Sequence, residues 1–183
     1  MKIRTCLFGM ALIALLATTM QAQAPVNEGF AFGFNLNQYQ RDFGFGVNVT
    51  SPSFANGNLV IRASANLQYL QHVPVDGTAE TWTGYGAFRL GLANVARSIA
   101  DGVRLYGEGG VMLLLPNDEF SDEGARIGAY GLFGFEFYMN PSSSFFLEAG
   151  GLGINAVADQ LPNEPIYANG FITSVGWRVH LAK

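Results

Sequence analysis

From about residue 29 the chain alternates apolar and polar positions in eight runs, roughly 29–37, 42–50, 59–70, 80–93, 103–114, 126–139, 144–154 and 169–181. A period of two marks a β-strand with one buried face, and turn residues bound every run. In the first run one face reads Phe30, Phe32, Phe34, Leu36; in the sixth it reads Ile127, Ala129, Gly131, Phe133, Phe135, Phe137, Met139. Across all eight runs that face holds no charge, no Asn and no Gln. The opposite face carries Asn35, Asn37, Asn48, Ser64, Asn66 and Gln68, together with Arg62, Arg89, Arg104, Glu108, Arg126, Glu136, Glu148 and Arg178.

Alternation alone does not say which face is inside. A soluble sandwich or a lipocalin-like barrel turns its apolar face inward and shows water a face rich in Lys, Glu and Asp. Here the polar face consists of Gly, Asn, Ser, Tyr and sparse Arg and Glu, with no lysine. That composition fits a small barrel turned inside out, apolar toward lipid and polar within. Run length agrees, because strands tilted about 45° cross a membrane in about 9–11 residues. Closure is obligatory there, since an open edge in hydrocarbon leaves backbone groups unpaired. The expected fold is all-β: an eight-stranded antiparallel up-and-down transmembrane β-barrel with a polar, side-chain-filled interior. Aromatics near the run ends supply candidate interface girdles: Phe30, Phe137, Phe145 and Trp177 at one rim, Phe43, Tyr69, Trp82 and Phe171 at the other.

Composition sharpens this reading. Only 13% of the 183 residues are charged, against about 25% in ordinary soluble domains, while Gly numbers 23 and Phe 15. The net charge of −4 removes the basic patch that nucleic-acid binding requires. No linker or change of composition divides the chain, so one domain is expected over 25–183. Before it, Lys2 and Arg4 precede an apolar run from Leu7 to Ala17 and the Ala22-Gln23-Ala24 triplet. That is the pattern of a secretory signal peptide over 1–24, cleaved after Ala22 or Ala24. Its apolar run falls short of the roughly 20 residues of a transmembrane helix. Cys6, the sole cysteine, leaves with it, which excludes disulfides from the mature chain.

With these features the chain resembles the small eight-stranded outer-membrane barrels of Gram-negative bacteria, the outer membrane protein X type and the barrel domain of outer membrane protein A. The resemblance spans residues 28–181 and rests on pattern. In the last run, Ser174, Gly176, Val179 and Leu181 resemble the C-terminal assembly signal of that family, although the chain ends Leu181-Ala182-Lys183 without a terminal aromatic. The resemblance implies an outer-membrane location, contact with outer-membrane lipids and recognition by the β-barrel assembly machinery.

The candidate chemistry is the inward charge. Unpaired charges in a narrow lumen would each cost several kcal/mol, so Arg62, Arg89, Arg104, Glu108, Arg126, Glu136, Glu148 and Arg178 should pair across it as a plug. An eight-stranded barrel is just wide enough for side chains to fill. The other readings are a gate or narrow conduit, and acid–base work by the glutamates. His72 and His180 fall at opposite ends, too far apart to share a metal. Lipid A deacylases of similar size carry a His-x-Ser pair near their last strands, and neither histidine here is followed by that serine. The acidic stretch Asn117–Glu123 lacks the order of a calcium loop and reads as a solvated tip. No metal site, cofactor motif or phosphate loop emerges.

Connections 38–41, 71–79, 115–125 and 155–168 are expected at the outer end, and 51–58, 94–102 and 140–143 at the inner. The expected function is a non-enzymatic structural or surface-interaction role, with any surface ligand held by loops 115–125 and 155–168. The alternatives are a narrow pore, then a soluble lipocalin-like carrier or a lipid-modifying enzyme.

Overall fold

Closing a sheet on itself leaves no edge of unpaired backbone N–H and C=O groups. The computed structural model describes residues 29–182 except 75, 76 and 78. The expected signal segment 1–24, with Cys6 and both cleavage positions, lies outside the described residues. The strands are β1 (Ala31–Tyr39), β2 (Asp42–Thr50), β3 (Leu59–His72), β4 (Thr81–Ala100), β5 (Val103–Leu115), β6 (Arg126–Asn140), β7 (Ser143–Gly153), β8 (Ala156–Val157), β9 (Ile166–Tyr167) and β10 (Gly170–His180). The eight long strands close into an antiparallel barrel in the order β1-β10-β7-β6-β5-β4-β3-β2, and β8 and β9 form a small hairpin of their own. Closure runs through β1: Phe34 lies opposite Val47 of β2 and opposite Trp177 of β10.

Exposure decides the sign of the alternation. On β1, Phe32 and Phe34 are half exposed, whereas Asn35 and Asn37 are 1% and 2% exposed. The same inversion holds around the barrel: Val47, Ile61, Leu90, Val111, Phe133 and Val175 face outward, while Arg62, Arg89, Glu108, Glu136, Glu148 and Arg178 are buried. A soluble barrel would show the reverse.

Two departures from the sequence reading have physical causes. The expected inner connection 94–102 is mostly strand. Strand β4 continues to Ala100, with register shifts between Asn94 and Arg97 and between Ser98 and Ala100, and only Asp101-Gly102 turns the chain. A bulge inserts a residue and breaks the period of two, so the alternation stops being legible while the pairing persists. Gly102 makes the two-residue turn feasible with a φ of 68°, a region costly for any residue bearing a Cβ. Secondly, connection 155–168 contains the β8–β9 hairpin, in which Ala156 pairs with Tyr167 and Val157 with Ile166.

The two ends of the barrel therefore differ. One, the turn end, carries 51–58, 101–102 and 141–142; the other, the loop end, carries the tight turn Gln40-Arg41 and three longer connections.

Candidate functional site

Period-two placement delivers the buried charges to the lumen from separate strands: Arg62 from β3, Arg89 from β4, Glu108 from β5, Glu136 from β6, Glu148 from β7 and Arg178 from β10. Three arginines thus face three glutamates. Arg62 Nη1 pairs with Glu108 and lies 3.5 Å from Glu148 Oε1. Arg178 bridges Glu136 at 2.9 Å through Nη1 and Glu148 at 3.3 Å through Nη2. These side chains are 1–5% exposed, where an uncompensated charge is most costly.

The sequence reading missed the tyrosines. Each lumen glutamate accepts one tyrosine hydroxyl: Glu148 from Tyr106 at 2.6 Å, Glu108 from Tyr130 at 2.7 Å and Glu136 from Tyr138 at 3.0 Å. The arginines stack on the same rings. Arg62 sits 4.8 Å from the Tyr106 centroid, Arg89 5.4 Å from Tyr130 and Arg104 5.2 Å from Tyr138, while Arg178 lies 3.9 Å from that of Phe146. Ring faces attract cations and hydroxyls satisfy carboxylates, so one residue type serves both charges. A signal was available: Tyr106 lies two residues from both Arg104 and Glu108, and Tyr138 lies two residues from Glu136.

Three charges expected in the network stand apart from its centre. Arg126 is at the loop end, 48% exposed, and pairs with Glu123 outside the lumen. It opens β6, so its position in the alternation says nothing about burial. Arg104 is half-buried at the turn end against Tyr138. Arg89 is buried, yet no carboxylate stands within bridging distance of it among the described residues. Its Nε donates to Ser64 at 3.1 Å, and its Nη1 has no hydrogen-bond partner.

Amides fill the lumen beside β1 and β2. Asn66 Oδ1 accepts from Asn35 at 3.0 Å and Asn37 at 2.7 Å, and Asn48 links Asn35 to Arg178. At the turn end Ser144 contacts both Glu136 and His180, at 2.8 and 2.9 Å. Arg104, Glu136 and His180 line a recess of about 50 Å³, space for water and little else. His72 belongs to the other end, against Phe120.

The loop end is closed by a folded cap. Phe120 and Ser121 of the acidic connection are fully buried, which corrects the expected solvated tip. Phe120 packs edge-on to Tyr85 and Tyr167 at 6.1 and 5.1 Å, driving an aromatic wedge into the mouth. Connections 115–125 and 155–168 bind each other. Ser121 donates to the Val157 carbonyl at 2.8 Å, the Asp122 N–H to Asp159 at 2.9 Å and the Gln160 N–H to the Phe120 carbonyl at 3.2 Å. The Arg126 guanidinium holds the Glu123 carboxyl below its usual range, and the Asp122 N–H does the same for Asp159. Beneath the cap, Asp42 accepts from the Tyr85 hydroxyl at 2.5 Å and from the Ala168 N–H at 3.2 Å, tying β2 to the far connection.

No protein-family model and no curated protein sequence matches the chain. Among solved structures, the N-terminal β-barrel domain of Pseudomonas aeruginosa OprF is similar with a TM-score of 0.58 at 12% identity, covering 84% of this chain and 97% of that one. Ail, the attachment invasion locus protein of Yersinia pestis, is similar with a TM-score of 0.50 at 12% identity, covering 85% of this chain and 99% of that one. The fold is that of the small outer-membrane β-barrels.

On this outer-membrane barrel fold the aromatics singled out in the sequence all point outward. Phe30, Phe43, Trp82, Phe171 and Trp177 are exposed, and Tyr69, Phe137 and Phe145 are half-buried against neighbours. Phe137 and Phe145 stack at 5.1 Å across the β6–β7 pair. In β10, Val179 faces outward, as does Leu181 just beyond the strand, while Ser174 faces the lumen and donates to Asn37 at 2.8 Å. Gly176 also faces inward, under the Phe146 ring; a Cβ there would fall 2.2 Å from the Phe34 carbonyl oxygen.

Proposed function

We propose that this protein is an integral outer-membrane barrel whose role is structural or surface-interacting rather than catalytic. The carrying observation is the inverted polarity: an outward apolar belt surrounds a lumen lined by buried Arg–Glu–Tyr contacts. Such a belt in water would be an aggregation surface far beyond what monomeric soluble proteins expose. The paired charges in the lumen and the cap over part of the loop end favour a plug over a conduit and disfavour a substrate at the glutamates.

The belt meets outer-membrane lipid, with Phe30, Phe137, Phe145 and Trp177 at the inner interface and Phe43, Tyr69, Trp82 and Phe171 at the outer. Signal cleavage after Ala22 or Ala24 and delivery by the β-barrel assembly machinery through Ser174, Gly176, Val179 and Leu181 belong to the same reading. Display falls to connections 115–125 and 155–168; the similar Ail carries attachment in its name, which favours a surface contact as the task.

The direct test is heat-modifiable gel mobility in an outer-membrane fraction. A band that shifts on boiling supports the barrel in its membrane; a mature chain that stays in the aqueous phase without detergent ends the reading. Planar-bilayer recordings address the pore. Absence of steady unitary currents is expected, and reproducible single-channel steps would replace the plug with a conduit.

A further inference from the structure

The cap does not cover the whole loop end. Beside it, between the Gln40-Arg41 turn, the end of β3 and the stretch 161–168, lies a cleft of about 520 Å³. That is within the range of about 300–1,000 Å³ typical of small-molecule sites. It exists because the turn after β1 is only two residues long while β3 continues past it and the β8–β9 hairpin arches over. The turn is fixed: Gln40 takes a left-handed φ of 53° and donates its N–H to the Phe171 carbonyl at 2.8 Å.

Its lining has two characters. Leu70, Val73, Pro162 and Ile166 give an apolar wall, in which Val73 and Ile166 are exposed at 41% and 57%. Against that wall stands Arg41, exposed and, among the described residues, without an ion pair or hydrogen bond. The lining carboxylate that would neutralise it, Asp42, is buried and occupied from the barrel side by Tyr85 and the Ala168 N–H. A cation with no ion pair among the described residues and exposed aliphatic side chains, set around one concave volume, call for a ligand with complementary halves.

We propose that this cleft binds a small amphipathic anion, an alkyl or aryl carboxylate, with its charged group at Arg41 and its apolar body against Leu70, Val73, Pro162 and Ile166. A neutral analogue forfeits the cation, and a cationic one meets Arg41. The cleft is a feature of the folded chain itself, so a failure to bind leaves the membrane reading untouched.

The test uses the whole mature protein in lipid nanodiscs, titrated with 3-phenylpropionate, its amide and 3-phenylpropylamine while backbone amide NMR shifts are followed. Saturable shifts with the carboxylate are expected at 40–42, 70–73 and 161–168, with the amide and the amine at least tenfold weaker. Arg41→Gln should weaken the carboxylate at least tenfold, Arg41→Lys should retain most of the affinity, and Ile166→Ser should weaken it through the wall. These exposed positions leave the barrel intact, which gel mobility verifies for each variant. Equal responses to all three compounds, shifts spread along the lipid-facing belt, or no saturable response to 3-phenylpropionate would each overturn the proposal.

Discussion

Tyr106 donates its hydroxyl to Glu148 at 2.6 Å, and its ring lies beneath Arg62 and also 5.8 Å from Arg178. Both arginines approach the same Glu148 oxygen. One side chain thus satisfies the carboxylate and lines the space in which its two cations sit. Tyr106→Phe keeps the ring and removes the hydrogen bond, and it is expected to cost about 1.5–3 kcal/mol, the usual range for a bond to a charged group. Glu148→Gln leaves two buried arginines under-compensated and should cost more, about 3–5 kcal/mol. Urea titration of the folded, unboiled gel band orders the two; equal effects would mean that the carboxylate contributes no more than its hydroxyl partner.

Arg62 and Glu108 invite a double-mutant cycle. Each single change, Arg62→Met or Glu108→Met, strands the other charge and should destabilise by about 3–5 kcal/mol. The double variant removes both charges and should lose less than the sum by 1 kcal/mol or more, roughly the coupling seen between residues in contact. Strict additivity would show that the two charges do not act on each other.

Gly176 and Gly109 separate two reasons for glycine. A Cβ at Gly176 collides with the Phe34 carbonyl and the Phe146 ring, whereas at Gly109 the nearest atom is 3.8 Å away. Gly176→Ala is expected to cut the yield of heat-modifiable barrel severely when refolded from urea without any assembly factor, and Gly109→Ala to leave it unchanged. Normal refolding of Gly176→Ala in vitro with failed assembly in cells would assign Gly176 to the assembly signal instead.

Leu90 is 53% exposed on the outward face of β4. In water, Leu90→Arg would be near neutral. In a bilayer it is expected to cost about 2–4 kcal/mol if Leu90 sits near the midplane. Refolding equilibria into lipid vesicles measure that difference, and a neutral result would argue against a lipid-facing belt.

The cap should loosen in acid. Glu123 and Asp159 have carboxyls held below their ordinary range in the folded protein, by Arg126 and by the Asp122 N–H. A depressed carboxylate contributes stability above its unfolded value, and that contribution is lost as pH falls through the folded value. Amide exchange in 115–125 and 155–168 should therefore accelerate relative to the barrel strands as pH drops below about 4, after correction for intrinsic rates. Glu123→Gln should bring part of that loosening to neutral pH.

Much of the fold was legible because period two is a local property of the chain. The boundaries of β2 were readable from 42–50 alone, and those of β3, β5 and β6 to within two residues. Reading failed where locality failed. The bulged end of β4 hid a strand because the bulge shifts phase. Phe120 sits in an acidic, turn-like stretch, and nothing in its neighbours announces that Tyr85 and Tyr167 will receive it. Arg126 and Arg178 occupy equivalent places in the alternation, yet one is exposed beside Glu123 and the other is 1% exposed between two glutamates. Height along the barrel separates them, and height follows from strand stagger.

The sequence by itself determined eight alternating strands, a face free of charge, and the residues that must be hidden once that face meets lipid. Those follow from backbone pleat and from the cost of burying charge, which act within a few residues of chain. The tertiary structure alone decided which arginine meets which glutamate, that Arg89 lacks a carboxylate at bridging distance among the described residues, and that a cap covers part of one end beside an open cleft. Those depend on the stagger of strands around a closed barrel and on the reach of long side chains across it. The Arg–Glu contacts across the lumen join residues 30 to 86 positions apart, and no local pattern in the chain encodes those pairings.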